Sequence, residues 1–173
     1  MTRFDIVGQL GSLRRYARSL TRDSTDAEDL VHDALVRAYE RRGTFRSGGN
    51  LRAWLLAIVH NTFIDRMRSR RSEAARIEQA GHLADTSVPP SQEHSVRLSQ
   101  VREAFLALPE EQRSALHLVA IEGLSYGQAA QVSSVPLGTL MSRIGRARAA
   151  LREMEQGAPE RGKNHLRIVG GDS

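Results

Sequence analysis

Thr139, Ser142, Arg143 and Arg146 stand three and four residues apart near the end of the chain, a spacing that gathers side chains on one side of a helix. Hydroxyl and guanidinium donors set side by side suit the acceptor-rich base edges of a DNA major groove. Small Ala149 and Ala150 crowd that side little, while Leu140, Ile144, Ala147 and Leu151 fall on the other and can pack on preceding helices. Upstream, Ser125-Tyr-Gly-Gln128 has the spacing of a capping box, and Pro136 suits a first helical turn. A short helix, the break Ser133-Ser-Val135 and a longer helix thus form a helix-turn-helix pattern over Leu124 to Leu151. Ser125 and Tyr126, at the start of the short helix, are placed to donate to a backbone phosphate. The competing reading is an ordinary helical hairpin with a solvated arginine face.

Two further clusters lie in the first half. Trp54, Asn61, Asp65 and Arg68 share one side of a helix, followed by Arg70 and Arg71, and the preceding loop offers Phe45, Arg46, Ser47 and Asn50. A stacking plane, amide donors and phosphate-neutralising guanidinium groups are what unpaired DNA strands require. A core tryptophan and a loop that merely turns would also fit. On the helix before it, Asp26, Asp29, Asp33 and Glu40 line a face beside the apolar stripe Ala27, Leu30, Val31, Ala34, Leu35 and Ala38. Such a surface repels DNA. It either docks on a basic protein surface or is a solvated face that favours the helix N-terminus, with Asp33 and Arg37 pairing within the helix.

Enzymatic chemistry finds no support. The six histidines are scattered without zinc-ligand spacing, and with no cysteine there are no thiolate sites or disulfides. Phosphate-binding loops, dinucleotide fingerprints and nucleophile elbows are missing from the sequence. No enzyme activity, metal or cofactor is expected.

These clusters need helices to position them. The apolar spacing predicts helices near 5–20, 25–41, 51–71, 95–107, 110–121, 126–132 and 136–154. Between them, residues 76–97 carry Asp85-Thr-Ser-Val-Pro-Pro-Ser91, whose double proline denies helical geometry and backbone donors. The fold class expected is all-α: one small helical domain over 1–75, a flexible linker over 76–97, a second small domain over 98–156, and a mobile tail over 157–173. Charge divides along the same line. The 173 residues carry a net charge of +5, and residues 1–75 alone account for +5 while 98–156 balance. All but one of the 25 basic residues are arginine, the exception being Lys163; a GC-rich genome or nucleic-acid recognition would each produce that bias. No apolar run is long enough to span a bilayer, and the first residues lack the apolar stretch of a secretory leader, so a cytoplasmic location without membrane insertion is expected.

The motifs resemble those of a known family. Asp26-Ala-Glu-Asp-Leu-Val-His-Asp33, Asn50-Leu-Arg-Ala-Trp-Leu-Leu-Ala-Ile58 and His60-Asn-Thr-Phe-Ile-Asp-Arg-Met-Arg68 resemble region 2 of the extracytoplasmic-function (ECF) group of sigma-70-type sigma factors. Leu108-Pro-Glu-Glu-Gln-Arg113, Gly123-Leu-Ser-Tyr-Gly-Gln-Ala-Ala130 and Val135-Pro-Leu-Gly-Thr-Leu-Met-Ser-Arg-Ile-Gly-Arg-Ala-Arg148 resemble its region 4. The resemblance implies a stress-response transcription initiation factor that brings RNA polymerase core enzyme to promoters through the clamp and flap. It implies that Asp26, Asp29 and Asp33 bind the core enzyme. Phe45, Arg46, Ser47, Asn50, Trp54, Asn61, Arg68, Arg70 and Arg71 would recognise and melt the minus-10 element, and Ser125, Tyr126, Thr139, Ser142, Arg143 and Arg146 would read the minus-35 element. An anti-sigma factor is the expected regulator. The chain departs from the family pattern at Gly127, Gly145 and Met141, the last standing where lysine is frequent. The alternatives are a sigma-like mimic that sequesters an anti-sigma factor without touching DNA, and a dimeric helix-turn-helix repressor.

Overall fold

Leu13, Tyr16, Ala17 and Leu20 recur at helical spacing and are all buried on one side of α1 (Leu10–Thr21) in the computed structural model, which describes residues 5–77 and 96–157. Arg22 then takes a left-handed backbone conformation with φ 60° and turns the chain. Asp23 starts α2 (Ser24–Glu40) by accepting a hydrogen bond from the Asp26 amide at 2.8 Å. The expected stripe of α2 is buried at Ala27, Leu30, Val31, Ala34 and Ala38, with Leu35 half-buried, and packs against α1 and α3.

The loop after α2 makes a 3₁₀ turn at Arg42–Thr44 before α3 (Leu51–Ile77) begins. Asn50 caps α3 by accepting from the Ala53 amide at 3.0 Å. Only the first two-thirds of α3 contribute to the core, through Leu55, Leu56, Ile58, Val59, Thr62 and Phe63; from Arg68 onward every residue is exposed. At 1.5 Å per residue its 27 residues span about 40 Å.

The second helical set comprises α4 (Val96–Ala107), α5 (Glu110–Leu116), α6 (Tyr126–Ser133) and α7 (Leu137–Gly157). A π-helical turn at His117–Ile121 extends α5, and Gly123 ends it with φ 68°, a left-handed conformation that costs glycine little. The capping box is present in full: Ser125 Oγ accepts from the Gln128 amide at 3.1 Å, and Gln128 Oε1 accepts from the Ser125 amide at 3.0 Å. Ser133 remains helical and buried, so the turn of the helix-turn-helix falls one residue later than the sequence predicts, at Ser134 with φ 53°, Val135 and Pro136.

The fold is all-α, with no strand among the described residues. The expected linker meets helix at both edges, because α3 runs to Ile77 and α4 starts at Val96. Its interior, 78–95, and the tail beyond Gly157 lie outside the described residues. The two helical sets are packed together, α6 on α3 and α5 on α1, over a continuous apolar cluster.

Candidate nucleic-acid interface

The acidic face of α2 is partly neutralised by the helix beside it. Arg66 on α3 donates to the Asp33 carboxylate and to the Asp29 carbonyl, and Arg70 lies 3.5 Å from Asp26. Arg37 reaches across to Asp65 at 2.7 Å instead of pairing with Asp33 inside its own helix, because α3 presents the closer carboxylate. Asp29 makes no ion pair among the described residues, and Val36, 47 % exposed, sits two turns further on the same face with Glu40. Tyr39 flanks it, with the Arg42 guanidinium 4.2 Å from its ring centroid. An apolar centre with a charged rim is the anatomy of a protein-docking patch. The acids were visible in the sequence. Val36 was not singled out, since it belongs neither to the acid cluster nor to the apolar stripe.

The candidate minus-10 residues spread along α3 and the loop before it. Phe45 and Trp54 meet with ring centroids 5.4 Å apart and planes tilted by 55°, both half-buried, so Trp54 serves the core with one face and the loop with the other. Arg46 and Asn50 are exposed at an open cavity of about 390 Å³ beside them, and Ser47 is exposed on the same loop. Asn61 and Arg68 are exposed on the same side of α3 as Trp54, whereas Arg70 points toward α2 and its ion pair with Asp26. Arg71 lies on the flank between. From Trp54 to Arg71 the surface extends about 25 Å along the helix.

On α7, Ser142 and Arg146 are exposed and Thr139 is half-exposed, as a face entering a groove requires. Arg143 departs from that picture. Its side chain is 20 % exposed and pairs with Glu111 at 3.2 Å, so it faces α5 and not the open side of α7. Ser125 and Tyr126 are exposed at the start of α6, although Ser125 Oγ is already engaged as a cap acceptor.

Two family matches cover these surfaces. Residues 8–73 match Sigma-70 region 2 and residues 98–151 match Sigma-70, region 4, in that order. The ECF RNA polymerase sigma factor EcfG of Rhodopseudomonas palustris is 40% identical over 151 residues, which is 86% of this chain and 82% of that protein. The chain belongs to the ECF group of sigma-70-type sigma factors. The sigma factor RpoE of Bartonella quintana, solved in complex with the anti-sigma factor NepR, superposes with a TM-score of 0.74 at 33% identity, covering 89% of this chain and 96% of that one. The anti-anti-sigma factor PhyR of the same organism shares the fold alone, with 17% identity and a TM-score of 0.53 over 86% of this chain and 48% of PhyR.

Regions 2 and 4 of this sigma factor contact each other through buried polar groups that the sequence motifs did not announce. Arg113 of region 4 is buried and donates to the carbonyls of Ser19 and Leu20 at the end of α1, and to Leu108 within its own region. Burial and the neighbouring Arg22 lower its pKa to about 10, so it keeps its charge at neutral pH. Glu122, also buried, accepts from Ser12 and Arg15 of α1 and from His117. Burial alone would raise its pKa, but the hydrogen bonds from His117, Ser12 and Arg15 hold it down to about 2. The Tyr16 ring lies between His60, with which it is stacked, and His117, tilted 39° to it, and its hydroxyl lies 2.9 Å from His60 Nδ1. Burial, then the charge of Arg143, lowers the His60 pKa to about 4. The cavity beside Phe45 and Trp54 is also lined by Gln128, Gln131 and Val132 of α6, so the candidate minus-10 surface faces the helix-turn-helix. No helix among the described residues is long and apolar enough to cross a membrane.

Proposed function

We propose that this ECF sigma factor divides its work among three surfaces. The α2 patch of Asp29, Val36 and Glu40 docks on the polymerase clamp. Phe45, Arg46, Ser47, Asn50, Trp54, Asn61, Arg68 and Arg71 hold the minus-10 element as its strands separate, and region 4, seated near the flap, reads the minus-35 element with Thr139, Ser142 and Arg146. Melting follows from differential binding: bases captured by the loop and phosphates held by arginine are available only in the unpaired strand, so binding energy is released as strands part. Asp26, Asp33 and Arg70 brace α2 against α3, and Arg143 braces α7 against α5. The chain performs no catalysis of its own, acts in the cytoplasm with the core enzyme, and is held in check by an anti-sigma factor, as the RpoE–NepR pair suggests by analogy.

The observation that carries this reading is the exposure of Asn61, Arg68, Arg71, Ser142 and Arg146, side chains that add nothing to the core. A mimic that only sequesters an anti-sigma factor has no use for them, and the higher identity to EcfG and RpoE than to PhyR points the same way. The test uses two variants of the full chain. Asp29→Lys should lose core polymerase while leaving the fold intact, and Arg146→Ala should keep core binding but weaken promoter retention about tenfold or more, the range for a base-reading arginine. Normal behaviour of both variants would overturn the assignment.

A further inference from the structure

We propose that Met141, with Leu137 one turn before it, reads thymine in the minus-35 duplex by covering the 5-methyl group at the major-groove edge. The proposal rests on the assignment of α7 as the recognition helix. Around α7 the side chains sort by chemistry. Leu140, Ile144 and Ala147 are buried, and as far as Ala149 the opposite side carries only small residues, Gly138, Ser142, Gly145 and Ala149. A Cβ built on Gly138 or Gly145 would meet nothing within 4 Å, so the helix backbone is open to close approach along that side. Thr139 and Arg146 form one flank of this open face. Met141 and Leu137, 50% and 49% exposed, form the first turns of the other, which continues to exposed Arg148 two turns after Met141.

Packing gives no reason for two large apolar side chains to be half out of the protein on the helix that enters a groove. Base chemistry does. Among the groups that base pairs present in the major groove, the thymine methyl is the apolar one, and the others are hydrogen-bond donors and acceptors. Thr139, Ser142 and Arg146 serve the polar edges, and Met141 and Leu137 suit the methyl. Methionine is apt because its unbranched, polarizable thioether adapts to an irregular surface. Residues in the first turns of a recognition helix are those that reach base edges.

The experiment uses holoenzyme assembled from the full chain and core polymerase. Promoters are selected from a library randomised in the minus-35 element, and each thymine of the enriched element is then replaced by deoxyuridine, which removes the methyl and nothing else. At one or two positions the wild type should lose about fourfold in affinity, the worth of covering one such carbon. Met141→Ala should bind the thymine promoter about fourfold more weakly and become indifferent to the replacement, while Met141→Leu should retain the discrimination. Arg146→Ala should lower affinity overall without changing the thymine-to-uridine ratio. Equal thymine-to-uridine ratios in wild type and Met141→Ala would overturn the proposal and leave the recognition helix standing. Enrichment of no minus-35 position at all would overturn both.

Discussion

His60 is the residue whose protonation most directly reports the packing around Tyr16. Its folded pKa of about 4 lies below the value near 6.5 of an unfolded chain, so between those values the unfolded state binds more protons. The stability held by neutral His60 is therefore complete above pH 6.5 and is lost as pH falls toward 4, at most about 3 kcal/mol over the window. Glu122, held down to about 2, adds a loss in the same direction but below pH 4.5. Urea unfolding of the full chain at pH 7 and pH 5 should show the drop in the wild type and a smaller one in His60→Gln, which keeps a partner for the Tyr16 hydroxyl. Equal slopes in the two proteins would place the titrating group elsewhere. Sequence alone placed His60 within a family motif but could not show its environment, because Tyr16 and Arg143 approach it from distant parts of the chain.

At the scale of elements, α2 shows what patterning can and cannot disclose. Its apolar stripe, its acid cluster and the Ser125–Gln128 cap of α6 are local and were legible, since each depends on residues within one or two turns. The partners of those acids were not, because Arg66 and Arg70 come from another helix, and the pairing of Arg37 with Asp65 replaced a local pairing by a long-range one. The end of α3 was missed for a related reason. Residues 72–77 have good helix formers but no apolar stripe, so nothing periodic marked them. The π turn after α5 was equally invisible, since one extra residue in a helical turn leaves no pattern. Val36 gives the element-scale prediction: as the apolar centre of the docking face, Val36→Ala should weaken core polymerase binding by about 1 kcal/mol or more, with little change in thermal stability. Unchanged affinity in a polymerase titration would return that face to a solvated role.

At the scale of the whole molecule, the described arrangement cannot serve both promoter elements at once. Elements centred near minus-10 and minus-35 are roughly 25 base pairs apart, about 85 Å along the duplex, whereas a compact chain of 173 residues has a radius of gyration of about 16 Å. The surface proposed for the minus-10 element also faces α6. Regions 2 and 4 must therefore separate when the factor engages a promoter. The interface suits separation, because buried Arg113 and Glu122 regain hydration when it opens, which offsets part of the cost of losing their hydrogen bonds to α1. Fluorescent labels introduced at Ser47 and Gln131 should transfer energy efficiently in the free chain and poorly in holoenzyme. Efficient transfer in both states would contradict an opening step. The order of the regions was legible from composition and motif order, but the closed packing was not, since its apolar and polar contacts join residues far apart in the chain, such as Ser12 with Glu122 and Arg113 with Ser19.

The central claim is that this chain directs polymerase to promoters through two DNA-reading regions. Its most direct measurement mixes the purified chain with bacterial core polymerase and random genomic fragments, and maps transcript starts against core enzyme alone. Reproducible new starts sharing two upstream sequence elements at a fixed spacing are expected, the upstream one lost with Arg146→Ala. Core binding without new starts, or starts that share no upstream element, would contradict it.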